Sequence, residues 1–122
     1  GLDLSPEMLD KARALGVYRH LGECDLSEDI ELPRIYGAIL CVGVFSHKLS
    51  GPFDLAKLFS GLLPSGLLIA TVNGRGWRDI DWPDLLQQSV RQHKFTIDEI
   101  IDIPYLDKQE IDGKLLILSD RN

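Results

Sequence analysis

The middle of the chain reads Ala38-Ile39-Leu40-Cys41-Val42-Gly43-Val44-Phe45, an almost wholly apolar run. Such a run is typical of a strand that is buried on both faces, as in a parallel sheet. A second run of this kind, Leu67 to Val72, follows a segment opened by Pro52 in which apolar residues recur at helical spacing. Strand, helix and strand in this order predict a parallel β-α-β unit.

The segments on either side continue the alternation of strands and helices. We predict strands over residues 1–4, 17–23, 38–45, 67–72, 97–105 and 114–119, and helices that start at Ser5, Pro52 and Pro83. Asn73 to Asp81 is predicted to be a glycine-rich loop. The segment between the last two strands is too short for a parallel crossover, so these strands should pair antiparallel. The chain is therefore predicted to form one α/β domain over residues 1–122, with a mostly parallel sheet, flanking helices and an antiparallel C-terminal strand pair.

Charge and composition argue against several kinds of partner. The formal net charge of −6 disfavours nucleic acid and anionic membrane surfaces, because both attract basic residues. No apolar run approaches the roughly 20 residues that span a bilayer, and no signal segment opens the chain. The two cysteines, Cys24 and Cys41, lack metal-ligand spacing, so we predict unpaired thiols in a cytoplasmic protein and no metal site.

Polar residues follow several predicted strands, and ligands of open α/β sheets bind beyond the carboxyl ends of the strands. Asp3 ends the first strand, where its carboxylate could accept hydrogen bonds from both hydroxyls of a ribose or could cap the next helix. Asp25 could accept from an adenine amino group while Leu26 packs on the ring, or it could be a solvated loop acid. Because parallel strands end on the same side of a sheet, we predict that one cleft is lined by Asp3, Asp25, Phe45 and His47.

Further candidates lie in the loops after the two central strands. His47 is placed to act as a general base or to be a loop histidine bonded to backbone or water. Trp77 and Trp82 could cover a substrate or could pack their loop onto the sheet. Gly74-Arg75-Gly76 lacks the third glycine of a dinucleotide fingerprint, which favours a plain turn over a phosphate cradle.

Four segments, in order along most of the chain, resemble motifs of class I S-adenosylmethionine-dependent methyltransferases. Gly1 to Leu9 resembles the second-strand motif, and Cys24-Asp25-Leu26 resembles the adenine-side motif after the third strand. Tyr36 to His47 resembles the fourth-strand motif, and Leu62 to Ile69 resembles the turn into the fifth strand. Gly16-Val17-Tyr18-Arg19 and the corner Gly43 to His47 are also similar to the methyltransferase-like proteins named after the Williams–Beuren region. The resemblance implies a Rossmann-like fold and methyl transfer from S-adenosylmethionine to an unidentified small-molecule or protein acceptor.

The resemblance also implies roles for individual residues. The cofactor would be bound at its ribose by Asp3 and Leu4, at its adenine by Asp25 and Leu26, and at its methionine end by Val42, Gly43, Val44 and Phe45. The substrate would face Ser46, His47 and Trp77, with His47 as the candidate base. In-line displacement at the sulfonium methyl mainly requires proximity and alignment.

Two departures from the family pattern change what we expect of this chain. Gly37 stands where the family usually has an aspartate that opens the fourth strand, and the glycine should loosen the start of that strand. The family's first strand and its glycine-rich loop, which contacts the methionine end of the cofactor, have no counterpart here, and the chain begins with Gly1 rather than Met. We therefore expect a methyltransferase domain that lacks its first strand and binds the cofactor weakly on its own.

Two other classes of protein stay open at this point. A sheet without one central strand has exposed edges, and exposed edges recruit partners. The chain could thus be a non-catalytic interaction module, or it could form a homodimer through those edges. A nicotinamide-dinucleotide domain also ends its second strand with an acid, but the Pro64-Ser65-Gly66 turn and the antiparallel terminal pair argue against it.

Overall fold

The computed structural model describes residues 1–45, 51–106 and 111–120, whose contacts group them into two compact units. The first unit is Gly1–Ile30 and the second is Glu31–Asn122. Each unit contains its own sheet and is described by itself. No helix within the described ranges is both long enough and apolar enough to cross a membrane.

The first unit is a small β-α-β arrangement. It consists of β1 (Leu2–Asp3), α1 (Pro6–Leu15) and β2 (Gly22–Glu23), and the two strands pair parallel. The predicted start of α1 is confirmed, because the Ser5 hydroxyl accepts a hydrogen bond from the backbone N–H of Met8 at 3.3 Å. Gly16 ends the helix in the left-handed conformation, with φ of 67°, which glycine adopts at little cost.

The predicted strand over residues 17–23 is wrong in length. Only Gly22 and Glu23 pair with β1, whereas Val17 and Tyr18 lie outside any strand and are 75% and 50% exposed. Strand residues need hydrogen-bond partners, and β1 offers only two residues to pair with. Most of the residues 17–23 therefore have no strand to pair with among the described residues.

The second unit contains a four-stranded sheet. Its strands are β3 (Tyr36–Phe45), β4 (Leu62–Asn73), β5 (Phe95–Leu106) and β6 (Ile111–Asp120), arranged in the order β3-β4-β6-β5. β3 and β4 pair parallel, as the two central apolar runs predict. β6 pairs antiparallel with both β4 and β5, which confirms the predicted antiparallel C-terminal pair. Together the two units give a mixed α/β fold in which helices accompany the strands.

Helices fill the connections of this sheet. The predicted helix from Pro52 is confirmed as α2 (Pro52–Ala56), and it continues as a 3₁₀ helix over Lys57–Gly61. The glycine-rich stretch after β4 was predicted to be a loop, but it contains a short helix, α3 (Gly74–Asp79). Its cap explains the difference, since the Asn73 side chain accepts from the N–H of Arg75 at 2.8 Å. α4 (Trp82–His93) follows directly.

The core of the second unit lies between one face of the sheet and these helices. Its fully buried side chains come from both layers and include Leu68, Val72, Leu116 and Leu118 of the sheet and Leu55, Trp82 and Leu86 of the helices. The Ser89 hydroxyl of α4 donates to the carbonyl of Pro52 at 3.2 Å, which joins α4 to α2 inside the core. The Ser89 side chain therefore links α4 to the first residue of α2.

Side chains alternate between the two faces of β3. Cys41 is 6% exposed, whereas its neighbours Leu40 and Val42 are each 69% exposed. Since successive strand residues point to opposite faces, one face of β3 is buried and the other presents apolar side chains to solvent. Within the described residues β3 pairs only with β4, so it is an edge strand.

The pairing at the start of β3 is irregular, and the extra residues lie in β4. Tyr36 pairs with Leu62, whereas Ala38 already pairs with Leu67, so four residues of β4 loop out between the two pairings. Gly66 closes this turn tightly, because a Cβ added there would lie 2.8 Å from the carbonyl oxygen of Leu63. Gly37 of β3 therefore lies beside a compact turn of β4.

Candidate functional site

The predicted site residues fall into two groups, one in each unit. The first group lies at the carboxyl ends of β1 and β2, and the second at the carboxyl ends of β3 and β4. Ser46 and His47 lie outside the described residues. Their roles, and the prediction that one cleft joins Asp3 to His47, therefore stay predictions.

Asp3 ends β1 and organises the turn into α1. Its Oδ1 accepts a hydrogen bond from the backbone N–H of Ser5 at 2.9 Å, while Ser5 caps the helix. The other carboxylate oxygen has no partner among the described residues, and the side chain is exposed. Asp3 thus combines the capping role with a free acceptor, and Leu4 beside it is exposed.

Asp25 lies at the same edge of the two-stranded sheet as Asp3. The backbone N–H of Cys24 donates to the carbonyl of Asp3 at 3.0 Å, which extends the parallel pairing one residue beyond β2. Oδ1 of Asp25 accepts from the backbone N–H of Ser27 at 2.9 Å and from its hydroxyl at 2.6 Å. These bonds form a turn that fixes the carboxylate next to the half-buried Leu26.

The carboxylates beside Cys24 also affect its thiol. Burial raises the pKa of Cys24, and the negative charges of Asp25 and Glu28 raise the pKa further. The thiol is therefore kept protonated at neutral pH and is a poor nucleophile. Neither Cys24 nor Cys41 is part of a disulfide, as predicted.

An open, mainly apolar cavity of about 340 Å³ lies between β1 and α1. Its walls include Leu2, Met8, Leu15 and Tyr18, and Asp3 is the only acid that lines it. The volume is within the range of small-molecule sites. The carboxylate that we predict to bind a ribose thus borders a space with apolar walls.

In the second unit, β3 bulges at the residues predicted to face the methionine end of the cofactor. Cys41 pairs with Ala70 and Phe45 pairs with Val72, so the residues 42–44 oppose Thr71 alone. Gly43 has a φ of 75°, and its N–H donates to the buried Thr71 hydroxyl at 3.1 Å. A bulge re-aims side chains at a strand end. Sequence reasoning missed it, and the signal was a glycine inside an apolar strand.

The residues around the bulge differ in how far their side chains are exposed to solvent. Val42 is largely exposed and Val44 is half-buried, whereas Phe45 is fully buried. The ring of Phe45 meets the ring of Trp82 edge-on, with 5.4 Å between centroids. Phe45 therefore shapes the strand end from inside the core, and Val42 and Gly43 present the exposed surface.

Trp82 is fully buried. Its indole Nε1 has no acceptor among the described residues. A buried donor left unpaired costs about 1–3 kcal/mol, so it needs an explanation.

Trp77 lies nearly parallel to Trp82 at 6.2 Å between centroids, and the Lys114 ammonium sits 5.7 Å from the Trp77 ring centroid. Lys114 also forms an ion pair with Asp102.

The first turn of α3 is held close to β6. A Cβ added at Gly74 would lie 2.7 Å from the carbonyl oxygen of Asp112, so only glycine fits there without movement. The Asp112 carboxylate also pairs with Arg78 at 3.4 Å on the surface. Gly74-Arg75-Gly76 is thus part of a helical turn packed on the sheet rather than the plain turn that the sequence predicted.

Solved structures of other proteins share this fold. The chain matches an S-adenosylmethionine-dependent methyltransferase of Mesorhizobium loti at 17% identity and a TM-score of 0.67, over 97% of this chain and 78% of that one. N-methyltransferase NodS of Bradyrhizobium japonicum, in complex with S-adenosyl-L-homocysteine, matches at 14% identity and 0.68, over 99% and 65%. The [4+2]-cyclase SpnF matches at 16% identity and 0.66, over 98% of this chain.

The chain therefore has the class I methyltransferase fold. It spans 64% of the SpnF chain, 65% of NodS and 78% of the Mesorhizobium protein, so these structures contain further parts. No protein-family model and no curated protein sequence matches it. Because the same fold occurs in methyltransferases and in a cyclase, the fold alone does not determine the reaction.

Proposed function

We propose that this chain binds S-adenosylmethionine at the carboxyl ends of its parallel strands, and that the protein transfers the methyl group to an acceptor. The observation that carries the proposal is the placement of Asp3 and Asp25 at the ends of two paired parallel strands in a methyltransferase fold. Ligands of open α/β sheets bind at such strand ends. NodS, which shares the fold, was solved with S-adenosyl-L-homocysteine.

Each residue then has a role that follows from its chemistry. The free oxygen of Asp3 accepts from a ribose hydroxyl, while its other oxygen holds the turn at Ser5. Asp25 accepts from the adenine amino group, and Leu26 packs on the ring. The resemblance assigns the methionine end to the residues 42–45. The acceptor faces Ser46, His47 and Trp77.

Methyl transfer itself is an in-line displacement. The acceptor atom forms a bond to the methyl carbon while the bond from that carbon to the sulfonium sulfur breaks, and the electron pair stays on sulfur. Alignment of the two reactants supplies most of the catalysis. Where the acceptor carries a proton, His47 is our candidate to remove it.

We further propose that this chain binds the cofactor weakly by itself. It supplies the ribose and adenine contacts, but none of its strand-to-helix connections carries the glycine-rich loop that the resemblance places under the methionine end. We also propose that the chain is cytoplasmic, because cysteines that form no disulfide are usual in a reducing compartment.

The test is a titration of the chain with S-adenosyl-L-homocysteine to millimolar concentration, followed by ¹⁵N NMR. We expect a dissociation constant above the micromolar range and shifts at Asp3 and Asp25. Asp3→Asn should weaken binding about tenfold or more, because a charged hydrogen-bond acceptor is lost while the amide oxygen can still accept from Ser5. Asp25→Asn should weaken it less.

Asp10→Asn is the matched control, because Asp10 is an exposed acid of α1 that pairs with Arg13 on the surface. This variant should bind like the unaltered chain. Equal affinities of the Asp3→Asn and Asp10→Asn variants would show that the ribose assignment is wrong. Micromolar binding by the unaltered chain would contradict the proposed weak binding.

A second candidate function is a non-catalytic interaction module. It is favoured by the edge strand β3 and by the exposure of Leu40 and Val42 on it. Edges of this kind pair with strands of other chains. Absence of any response to S-adenosyl-L-homocysteine, together with self-association, would favour the module over the enzyme.

A further inference from the structure

The face of the four-stranded sheet that is turned away from the helices is apolar and uncovered. Strand residues alternate between two faces, and Leu68, Leu116 and Leu118 are fully buried on the helix side. The residues that alternate with them are partly or largely exposed, up to 69% at Leu40 and Val42. We define the outer face by six of these side chains: Leu40, Val42, Leu67, Ile69, Leu115 and Ile117.

The outer face is continuous and has about the size of one α-helix. Leu40 pairs with Ile69, and Ile69 pairs with Ile117, so the apolar side chains meet across the strands. Four strands span three spacings of roughly 4.8 Å, which gives a width of about 14 Å. An α-helix with its side chains is about 10–12 Å across. Contiguous apolar patches of a few hundred Å² often mark interaction sites.

Charge is distributed unevenly along the four strands. Glu99 of β5 pairs with Ile117, so it continues the row across the outer face, and Asp98 precedes it at an irregularity of β5. Both acids are exposed, and neither forms an ion pair with a described residue. β3 has no charged residue, and the only basic residue in the four strands is Lys114, which pairs with Asp102. The outer face is therefore apolar toward β3 and acidic along β5.

This distribution favours one kind of occupant for the outer face. A second copy packed face to face would bring another apolar surface flanked by acids, so Asp98 and Glu99 would lose water without gaining a counter-charge. Two copies joined edge to edge through β3 would leave the outer face uncovered. A helix with an apolar stripe and basic residues along one flank fills the face and neutralises the acids.

We propose that the outer face binds an amphipathic α-helix of a partner protein. The apolar stripe of that helix packs on the six outer-face side chains, and its lysine or arginine residues pair with Asp98 and Glu99. Recognition of this kind places apolar residues at i, i+3, i+4 and i+7 of the bound helix against the apolar surface. Binding of the helix goes beyond methyl transfer and does not depend on it.

Two synthetic peptides of about fourteen residues, roughly 21 Å long as helices, test the proposal. In the first peptide, leucines form the apolar stripe and lysines fill the other positions; in the second, glutamate replaces every lysine. Fluorescein-labelled peptides are titrated by fluorescence anisotropy at about 0.15 M salt, where attraction between distant charges is screened. We expect the lysine peptide to bind about tenfold more tightly or better, because it gains charge-assisted hydrogen bonds at the acids.

Two double variants test the role of the acids. Asp98→Lys combined with Glu99→Lys should abolish the preference for the lysine peptide. Asp29→Lys combined with Glu31→Lys is the matched control, because it makes the same change in net charge at two exposed acids outside the sheet. The control should keep the preference.

Two leucine variants test the apolar contact. Leu67 of the outer face is 39% exposed, and Leu63 of the same strand is 41% exposed but lies in the turn between two pairings with β3. Leu67→Ser should weaken the lysine peptide about tenfold, and Leu63→Ser should not. Circular dichroism checks that each variant is folded. In the unaltered chain, ¹⁵N NMR should show shifts at Ile69 and Ile117 when the lysine peptide binds.

Three results would each overturn the proposal: equal affinities for the two peptides, an unchanged preference after charge reversal at Asp98 and Glu99, or equal effects of Leu67→Ser and Leu63→Ser. If neither peptide binds and Leu67→Ser dissociates a dimer in analytical ultracentrifugation, a second copy covers the outer face and the proposal is wrong. The S-adenosyl-L-homocysteine titration is a separate measurement. Its failure, with the lysine peptide bound as expected, would contradict methyl transfer and leave the helix-binding face in place.

Discussion

At the scale of the residue, the carboxylate at the end of β1 can hold a turn and still offer an oxygen to a ligand. Asp3 holds the turn into α1 with one oxygen, so a capping role and a ligand-binding role are compatible in this side chain. Sequence reasoning set these roles against each other as alternatives. The structure shows why they need not exclude each other, because a carboxylate has two oxygens and a turn uses one.

The thiol of Cys24 gives a prediction at this scale. Burial and the neighbouring acids raise its pKa, so the thiolate fraction is low at pH 8. We expect Asp25→Asn to lower that pKa and to speed the alkylation of Cys24 by iodoacetamide, measured by mass spectrometry in a Cys41→Ala background. Glu7→Gln, which changes an acid of α1 that contributes nothing to this shift, is the control. An unchanged rate in Asp25→Asn would exclude the charge effect.

The raised pKa of Cys24 also makes the stability of the fold depend on pH. A thiol whose pKa is higher in the folded state keeps its proton when the unfolded chain loses it. The contribution to stability is fully present below the pKa of the unfolded chain and is lost as the pH rises from there through the higher pKa of the folded state. The loss therefore belongs to alkaline pH and leaves stability near pH 7 unaffected.

At the scale of the element, the bulge in β3 depends on one glycine. Gly43 has a φ of 75°, yet a Cβ there would have open space around it, so Gly43→Ala tests conformation without a clash. We expect it to lower the free energy of unfolding by about 1–2 kcal/mol, the cost of a left-handed non-glycine residue, in urea denaturation.

The same strand provides the control for this variant. Gly37→Ala also places a Cβ in open space, but at an ordinary φ, so it should leave the unfolding free energy nearly unchanged or raise it by about 0.4–1 kcal/mol. If both variants lower the free energy of unfolding equally, the destabilisation by Gly43→Ala does not come from the left-handed conformation in the bulge.

At the scale of the whole molecule, the edge strand β3 predicts self-association. We expect the chain to form a concentration-dependent dimer in analytical ultracentrifugation, because an unpaired edge with exposed Leu40 and Val42 can pair with a second copy. Leu40→Lys should shift the equilibrium to monomer, since a lysine on an edge strand opposes pairing. Val17→Lys, at an exposed position outside any strand, should not. A monomer at all concentrations would refute the homodimer.

The order of strands and helices, the parallel central pair, the antiparallel C-terminal pair and the cap at Ser5 follow from the sequence alone. These features depend on local signals: apolar runs, helical spacing, proline and serine at a helix start, and the length of a connection. The acids at the strand ends were also visible, because their position follows from where the apolar runs stop.

The two-residue length of β2, the helix within Gly74–Asp79, the bulge at Gly43 and the lack of an acceptor for the Trp82 nitrogen among the described residues were decided only by the tertiary structure. Each depends on a partner far away in sequence. β2 is limited by the two residues that β1 offers, and α3 packs where Gly74 approaches Asp112. The bulge is held by Thr71, and Trp82 meets Phe45 across the core. A local pattern shows which residues prefer a strand or a helix. Their hydrogen-bond and packing partners are distant in sequence and come together only in the folded chain.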